Sequence, residues 1–241
     1  MEPGGTASPG TRSCFIRAMA PRPLIVAAAL LAALVLASPA SAKIVEVGRT
    51  DAAPACPASP CLAVSRTTGY QIKVADERGS FVVPEDGKIV AWTIALGKPT
   101  TEQIAFFDKG LGGPASARIT ILRAGKTLFS RVVSQSPIQQ LSNYFGQTVQ
   151  FPLGRALNVK KGYVIALTVP TWAPALTQLL TDHSSWRAAR PKGKCDDTST
   201  QTAQTALKQV AQYRCLYKAR LTYSATLVTR PVPNPAESGR R

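Results

Sequence analysis

The sequence predicts an all-β protein, an antiparallel β-sandwich of jelly-roll type. Two observations carry this prediction: large apolar side chains alternate with small or polar ones along most of the chain after residue 60, and Gly, Pro, Asp and Lys interrupt the alternation at short intervals. The runs amount to about eight or nine strands, with no long helical period. With 45% hydrophobic and 17% charged residues, the 241-residue chain can bury one core.

An export segment precedes this pattern. Residues 24–37 form an apolar run of 14 residues, preceded by Arg22 and followed by small residues that end at Ala42. Because a helix needs roughly 20 residues to span a bilayer, we interpret residues 1–42 as a Sec-type signal peptide that is cleaved after Ala42. A start at Met19 instead of Met1 would leave residues 1–18 upstream of the true start. The protein is therefore expected to be secreted or in the cell envelope, with no stable membrane span after cleavage.

The remaining chain divides into a core region and two ends. Residues 43–60 have few large apolar side chains after Val47, and residues 230–241 contain three prolines, which is typical of loose termini. We therefore predict an N-terminal linker over 43–60, a single β-sandwich domain over 61–229 and a flexible C-terminal tail over 230–241.

Four cysteines remain after cleavage, and an even number in an exported chain predicts two disulfides. Of the three possible pairings we favour Cys56–Cys61, which spans a short segment bent by two prolines, and Cys195–Cys215, which closes a polar loop before the last strand. Zinc is the rival interpretation, but His183 is the only histidine and no Cys-x-x-Cys spacing occurs. The sequence predicts neither a metal nor a cofactor.

The clearest strand pattern covers residues 88–96, where Val90, Trp92, Ile94 and Leu96 fall on one face that we expect to point inward. Residues tolerant of positive φ separate the runs at 84–87, 124–126 and 160–162. The last run is long enough to bend or bulge midway. The further predicted strands are 70–74, 80–83, 102–107, 115–123, 127–134, 148–151, 163–169 and 213–228.

Residues 202–210 are ambiguous. Ala203, Ala206, Leu207 and Val210 have helical spacing and favour one short helix near 202–210. The Thr and Gln content of this segment fits an edge strand or a loop equally well.

Several short motifs carry a family resemblance. They are ALTVPTWAP at 166–174, SWR at 185–187, YRC at 213–215, FVVPEDG at 81–87, QSP at 135–137 and YFG at 144–146. Together they resemble a family of bacterial secreted proteins to which no function is assigned. The similarity covers roughly residues 56–228, which favours a single domain, and it implies no catalytic or binding residue.

The patterns typical of hydrolases are weak. His183 follows Asp182, but no Gly-x-Ser-x-Gly motif accompanies it. Adjacent carboxylates occur at 85–86 and 196–197, and Glu102 and Asp108 flank a predicted strand, yet nothing in the sequence makes two of them converge as a glycosidase requires. Calcium lacks its usual dense ladder of acidic residues. An enzyme is thus less favoured, and the alternative function kept open is an extracytoplasmic hydrolase acting on polysaccharide or ester.

A basic loop with aromatic neighbours is the main candidate site. The chain has a net charge of +16, and four cations lie within residues 187–194. Such a loop attracts anionic polymers, and a loop tryptophan can stack on a sugar face. We therefore predict a non-catalytic binding or structural module that contacts an anionic or carbohydrate cell-wall polymer, whereas export argues against nucleic acid. The alternatives are that both tryptophans fill the end of the sandwich and that the charges only solubilise. The predicted contact residues are Trp172, Trp186, Arg187, Arg190, Lys192 and Lys194.

Overall fold

A computed structural model describes residues 42–177, 183–197 and 201–230. The predicted signal peptide, up to residue 41, and the tail from residue 231 lie outside the described residues. The described part contains one α-helix, α1 (Thr101–Leu111), and fifteen strands. The strands are β1 (Ile44–Arg49), β2 (Val64–Val74), β3 (Glu77–Arg78), β4 (Gly87–Ala95), β5 (Ser116–Ala124), β6 (Phe129–Gln135), β7 (Gln139–Gln140), β8 (Thr148–Val159), β9 (Val164–Ala173), β10 (Leu176–Thr177), β11 (Ser185–Ala188), β12 (Val210–Gln212), β13 (Cys215–Tyr217), β14 (Arg220–Leu221) and β15 (Tyr223–Thr229).

The strands form two main antiparallel sheets, which confirms the predicted all-β sandwich. The smaller sheet has the order β1-β15-β4-β8, and the larger one has the order β12-β6-β5-β9-β2-β11-β13, with β3 added beside β2 and β7 beside β5. A two-stranded sheet joins β10 to β14. The larger sheet is curled: its two end strands, β12 and β13, are separated by only Tyr213 and Arg214 in the chain.

The main core lies between the two sheets. From the smaller sheet, Trp92 packs against Phe151 with ring centroids 4.9 Å apart. Tyr223 is fully buried, and its hydroxyl donates a 2.9 Å hydrogen bond to the carbonyl of Ile165 in the larger sheet. Because burial of apolar area is the dominant favourable term in folding, these facing side chains hold the sheets together.

The opposite face of the larger sheet is also buried. Thr68, Thr120 and Thr168 lie on neighbouring strands there, and the Thr168 hydroxyl is 2.9 Å from that of Thr68. Gln204 covers this row, because its backbone N–H donates to Thr68 Oγ1 at 3.0 Å and its side-chain oxygen accepts from the Tyr213 hydroxyl. Gln204, in the loop before β12, is therefore bound to the sheet by polar contacts.

Strand β4 corrects the predicted inward face. Ile89 is fully buried and Val90 only half-buried, because the pairing of β4 with both β8 and β15 shifts register between Ile89 and Ala91. Relative to β15, Val90 is the extra residue of a β-bulge. An extra residue breaks the alternation of side chains, so the residues before it point to the opposite face from the one that alternation predicts. Trp92, Ile94 and Leu96 point inward as predicted.

The predicted strand 102–107 is wrong, because these residues belong to α1. Thr100 and Gln103 form a capping box at its first turn, and Gly112 ends it in the left-handed conformation. Within the described part of the chain, no helix is long and apolar enough to cross a membrane.

Three further segments differ from the prediction, and a fourth decides between open alternatives. Residues 80–83 form only an isolated bridge, Val82 to Val164, and the run 213–228 is divided among β13, β14 and β15. Within the predicted linker 43–60, β1 pairs with β15, so the first part of this stretch extends the smaller sheet. For residues 202–209, where a short helix, an edge strand and a loop were open, the structure shows a loop with a turn, and Leu207 is exposed.

Candidate binding site

Trp172 is the first predicted contact residue, and the structure buries it completely. It lies in β9, where its ring packs against Phe107 at 4.8 Å and Phe145 at 5.5 Å between centroids. Its indole N–H donates a 2.8 Å hydrogen bond to Asp108 of α1. Trp172 is therefore an anchor for the helix, and no face of its ring is open to a ligand.

Trp186 is also buried, in β11 and not in a loop as expected. Its ring stacks on Tyr217 of β13 at 4.8 Å between centroids and 29° between planes. Gly69 of β2 lies beneath it, with no side chain to hold the indole away. The prediction that Trp172 and Trp186 stack on a sugar is thus corrected: both fill the protein interior.

The two predicted arginines bind backbone carbonyl groups. Arg187 is half-buried, and its Nη1 donates to the carbonyls of Tyr213 at 3.2 Å and Arg214 at 3.3 Å. Arg190 is 9% exposed, and its Nη1 donates to the Cys195 carbonyl at 3.1 Å and to the Tyr217 hydroxyl. Both guanidinium groups therefore tie the polar loop to the sheet.

Burial acts on the charge of Arg190. Loss of hydration lowers the pKa of its guanidinium, and the neighbouring Tyr217 opposes that shift. The Arg190 guanidinium also lies 5.3 Å from the centre of the Tyr217 ring, a cation–π contact. Since an arginine with a lowered pKa still stays protonated in proteins, the Arg190 guanidinium keeps its positive charge.

Lys192 and Lys194 are the exposed members of the predicted set. Lys194 forms an ion pair with Asp197 at 3.4 Å, whereas no ion pair among the described residues includes Lys192. Lys194 and Arg190 line one surface cleft of about 330 Å³, together with Gln201 and Thr202. The structure thus brings two of the six predicted residues into one cleft, which we call the loop cleft (Ala189, Arg190, Pro191, Lys194, Gln201 and Thr202).

Two disulfides are present with the predicted pairing, Cys56–Cys61 and Cys195–Cys215. The second one joins the loop cleft to β13, where Cys215 is buried. Together with the contacts of Arg190, it holds the cleft against the edge of the larger sheet. A cleft fixed in this way loses little conformational entropy when it binds a ligand.

Of the residues considered for hydrolysis, Asp182 lies outside the described residues, and His183, Asp86 and Asp108 each have a different partner. The His183 side chain is 75% exposed, and its Nδ1 is 3.8 Å from Asp76. Asp86 accepts a hydrogen bond from the backbone of Lys161, and Asp108 accepts one from Trp172. Within residues 42–177, 183–197 and 201–230, no three His, Cys, Asp or Glu side chains lie close enough together to hold a metal ion.

A second basic region was not predicted, because its cations are spread along the chain and form no dense run. From Lys109 to Thr181 the sequence has eight basic residues and no acidic one. This stretch includes β5, β6 and β8, so the cations on these strands have no acidic neighbour along the chain. Counting where acids are missing, and not only where cations cluster, would have revealed it. No protein-family model, curated protein or solved structure matches this chain, so its function is inferred from the geometry of its own residues.

Proposed function

We propose that this protein is exported by its N-terminal signal peptide, is cleaved after Ala42 and acts at the cell envelope as a non-catalytic module that binds an anionic polysaccharide. The observation that carries the proposal is the loop cleft, which Arg190 and Lys194 both line beside a disulfide. The basic excess supports the same class of partner, because a positive surface raises the local concentration of polyanions; residues 1–42 carry only three arginines and one glutamate of the chain's net +16, so most of the charge stays after cleavage.

The chemistry of the loop cleft fits a sugar acid. Lys194 is exposed and can pair with a carboxylate, Arg190 adds a buried positive charge at the cleft wall, and the amide of Gln201 and the hydroxyl of Thr202 can exchange hydrogen bonds with sugar hydroxyls. Lys192, exposed at the adjacent turn, adds charge at the rim of the cleft. The buried tryptophans take no part in contact.

The test uses polygalacturonate as the probe and dextran as its neutral counterpart. Exchanging both exposed lysines for acids, K192E/K194E, reverses charge without touching the contacts of Arg190. We expect at least about tenfold weaker binding to polygalacturonate at low salt, equivalent to about 1.4 kcal/mol, because two favourable charge contacts become repulsive. Isothermal titration calorimetry measures the affinity.

The matched control is K160E/K161E, which makes the same charge change at an exposed turn next to Asp86. It should retain nearly wild-type affinity. Equal losses in both variants would show that only net charge matters, and an unchanged affinity of K192E/K194E would refute the loop cleft as the site. Dextran should not bind to any of the proteins.

A further inference from the structure

A second cleft lies at the turn between β5 and β6. Arg123 of β5 is directly opposite Arg131 of β6, and Arg131 is in turn opposite Val210 of β12. Residues directly opposite each other on antiparallel strands have Cβ atoms about 5 Å apart and point to the same face. Around them is a cleft of about 180 Å³, which we call the hairpin cleft (Arg123, Ala124, Gly125, Phe129, Ser130, Arg131 and Val210).

Among the residues that the structure describes, the two guanidinium groups have no acidic partner. Both side chains are exposed, and no ion pair within the described residues includes Arg123 or Arg131. The chain between Lys109 and Thr181 supplies no acid that could approach them. Like charges directly opposite on paired strands repel each other and destabilise the pairing. An anion bound between them would remove this repulsion.

An aromatic ring stands next to this pair. Phe129 precedes Arg131 by two residues in β6 and therefore lies on the same face of the strand. Phe129 is 44% exposed and Val210 is 47% exposed, so the hairpin cleft has apolar surface open to solvent beside its two cations. A pyranose ring that carries an acid group has the complementary shape, with an apolar C–H face and an anionic substituent.

The backbone beneath the hairpin cleft is held on both sides. The Gly125 N–H donates to the Phe129 carbonyl at 2.7 Å, which closes the turn. From β12, the Gln212 side chain donates to the Thr127 carbonyl at 3.0 Å. The two arginines therefore project from a fixed hairpin, and the distance between their backbones does not have to change when an anion binds.

We propose that the hairpin cleft is an anion-binding subsite for an acidic sugar. Arg123 and Arg131 together bind the negatively charged substituent, and the Phe129 ring stacks on the sugar face. This subsite is separate from the loop cleft: it depends on other residues, and it stands or falls independently of the function proposed above.

The test is made in the K192E/K194E protein, so that binding at the loop cleft does not contribute. Trigalacturonate and inorganic phosphate are the probes, and isothermal titration calorimetry at low salt measures the affinity for each. Arg131→Gln should weaken the binding of both probes about tenfold or more, since a hydrogen bond to a charged group contributes about 1.5–3 kcal/mol. Phe129→Ala should weaken only trigalacturonate binding, because phosphate has no ring to stack.

Arg78→Gln on β3, made in the same K192E/K194E parent, is the matched control and should keep the parent's affinity for both probes. A second measurement excludes misfolding: at low salt, Arg131→Gln should melt at the same or a higher temperature than its parent, because one of two repelling charges is gone. The subsite is refuted if Arg131→Gln binds both probes as tightly as its parent. A lower melting temperature would also count against it, since the arginine pair would then stabilise the fold. If Phe129→Ala leaves trigalacturonate binding unchanged, the sugar specificity is wrong.

Discussion

Gly69 shows how a single residue positions the aromatic cluster beneath the loop cleft. A Cβ atom at this position would lie 2.6 Å from Cζ3 and 2.7 Å from Cε3 of the Trp186 ring. Since Trp186 is fixed between Gly69 and Tyr217, it cannot move away without disturbing the stack. Gly69→Ala should therefore destabilise the protein by about 1–3 kcal/mol, the usual cost of overpacking a core.

Denaturant unfolding measures this change, and Gly154→Ala is the matched control. Gly154 lies in β8, and an added Cβ would meet no atom within 4 Å. The control should be neutral or slightly stabilising, because alanine lowers the entropy of the unfolded chain. Equal stability of the two variants would mean that the Trp186 ring has room to shift.

Two buried tyrosines predict a loss of stability at alkaline pH. Burial raises the pKa of Tyr213 and of Tyr223 well above the ordinary value. An unfolded tyrosine ionises at about pH 10, so above that pH the unfolded state binds fewer protons than the native state. The contribution of these two tyrosines to stability should then be constant below about pH 10 and fall above it, by about 1.4 kcal/mol per pH unit for each tyrosine.

Urea unfolding between pH 8 and pH 12 measures this slope. Tyr223→Phe removes one of the two groups and should make the slope shallower, although it also costs the hydrogen bond to the Ile165 carbonyl. A wild-type stability that stays flat above pH 10 would contradict the burial of these hydroxyl groups.

The exposure of Trp172 and Trp186 could not be predicted from the sequence. The sequence identifies Trp172 and Trp186 as large aromatic residues near basic ones, but their exposure depends on residues far away in the chain. Trp172 is covered by Phe107 of α1, and Trp186 by Tyr217 of β13. Period-two alternation places a side chain on one face of a strand without showing what covers that face.

At the scale of elements, α1 was missed although local signals for it exist. Ile104 and Phe106 alternate with polar or small neighbours, which resembles a strand, but Thr100 and Gln103 have the spacing of a capping box and Gly112 is a helix stop. No residue of α1 is fully buried, so its apolar periodicity is weak. The positions of strands β4, β5 and β9 were predicted correctly, because large buried side chains recur at every second residue along much of each strand.

The two disulfides should differ in their effect on stability. The Cys195–Cys215 bond closes a longer loop than the Cys56–Cys61 bond, with sequence separations of 20 and 5. By the chain-entropy relation, C195S/C215S should lower the free energy of unfolding by about 3 kcal/mol, and C56S/C61S should lower it by about 2 kcal/mol. Thermal or denaturant unfolding measures both.

Ligand binding separates the two bonds further. Only the Cys195–Cys215 bond holds the loop cleft, so C195S/C215S should weaken polygalacturonate binding, and C56S/C61S should leave it unchanged in the folded protein. Unaltered binding by C195S/C215S would show that the contacts of Arg190 alone keep the cleft in place.

For the whole molecule, the distribution of charge matters more than its total. The described acids are concentrated in β1, β3, the turn before β4, α1 and the disulfide loop, whereas β5, β6 and β8 carry only basic charges. The sequence alone shows this imbalance. It could not show that Arg123 and Arg131 lie opposite each other, because the bulge between Ile121 and Leu122 determines that register.

The salt dependence of binding to polygalacturonate tests the central claim most directly. Screening weakens contacts between exposed charges as ionic strength rises. The affinity of the wild-type protein should fall steeply between low and physiological salt. Reversing charge in both clefts, with K192E/K194E and R123E/R131E combined, should remove most of the affinity and most of the salt dependence. An affinity that is independent of salt would contradict binding through exposed cations. So would a variant with all four substitutions that binds like the wild-type protein.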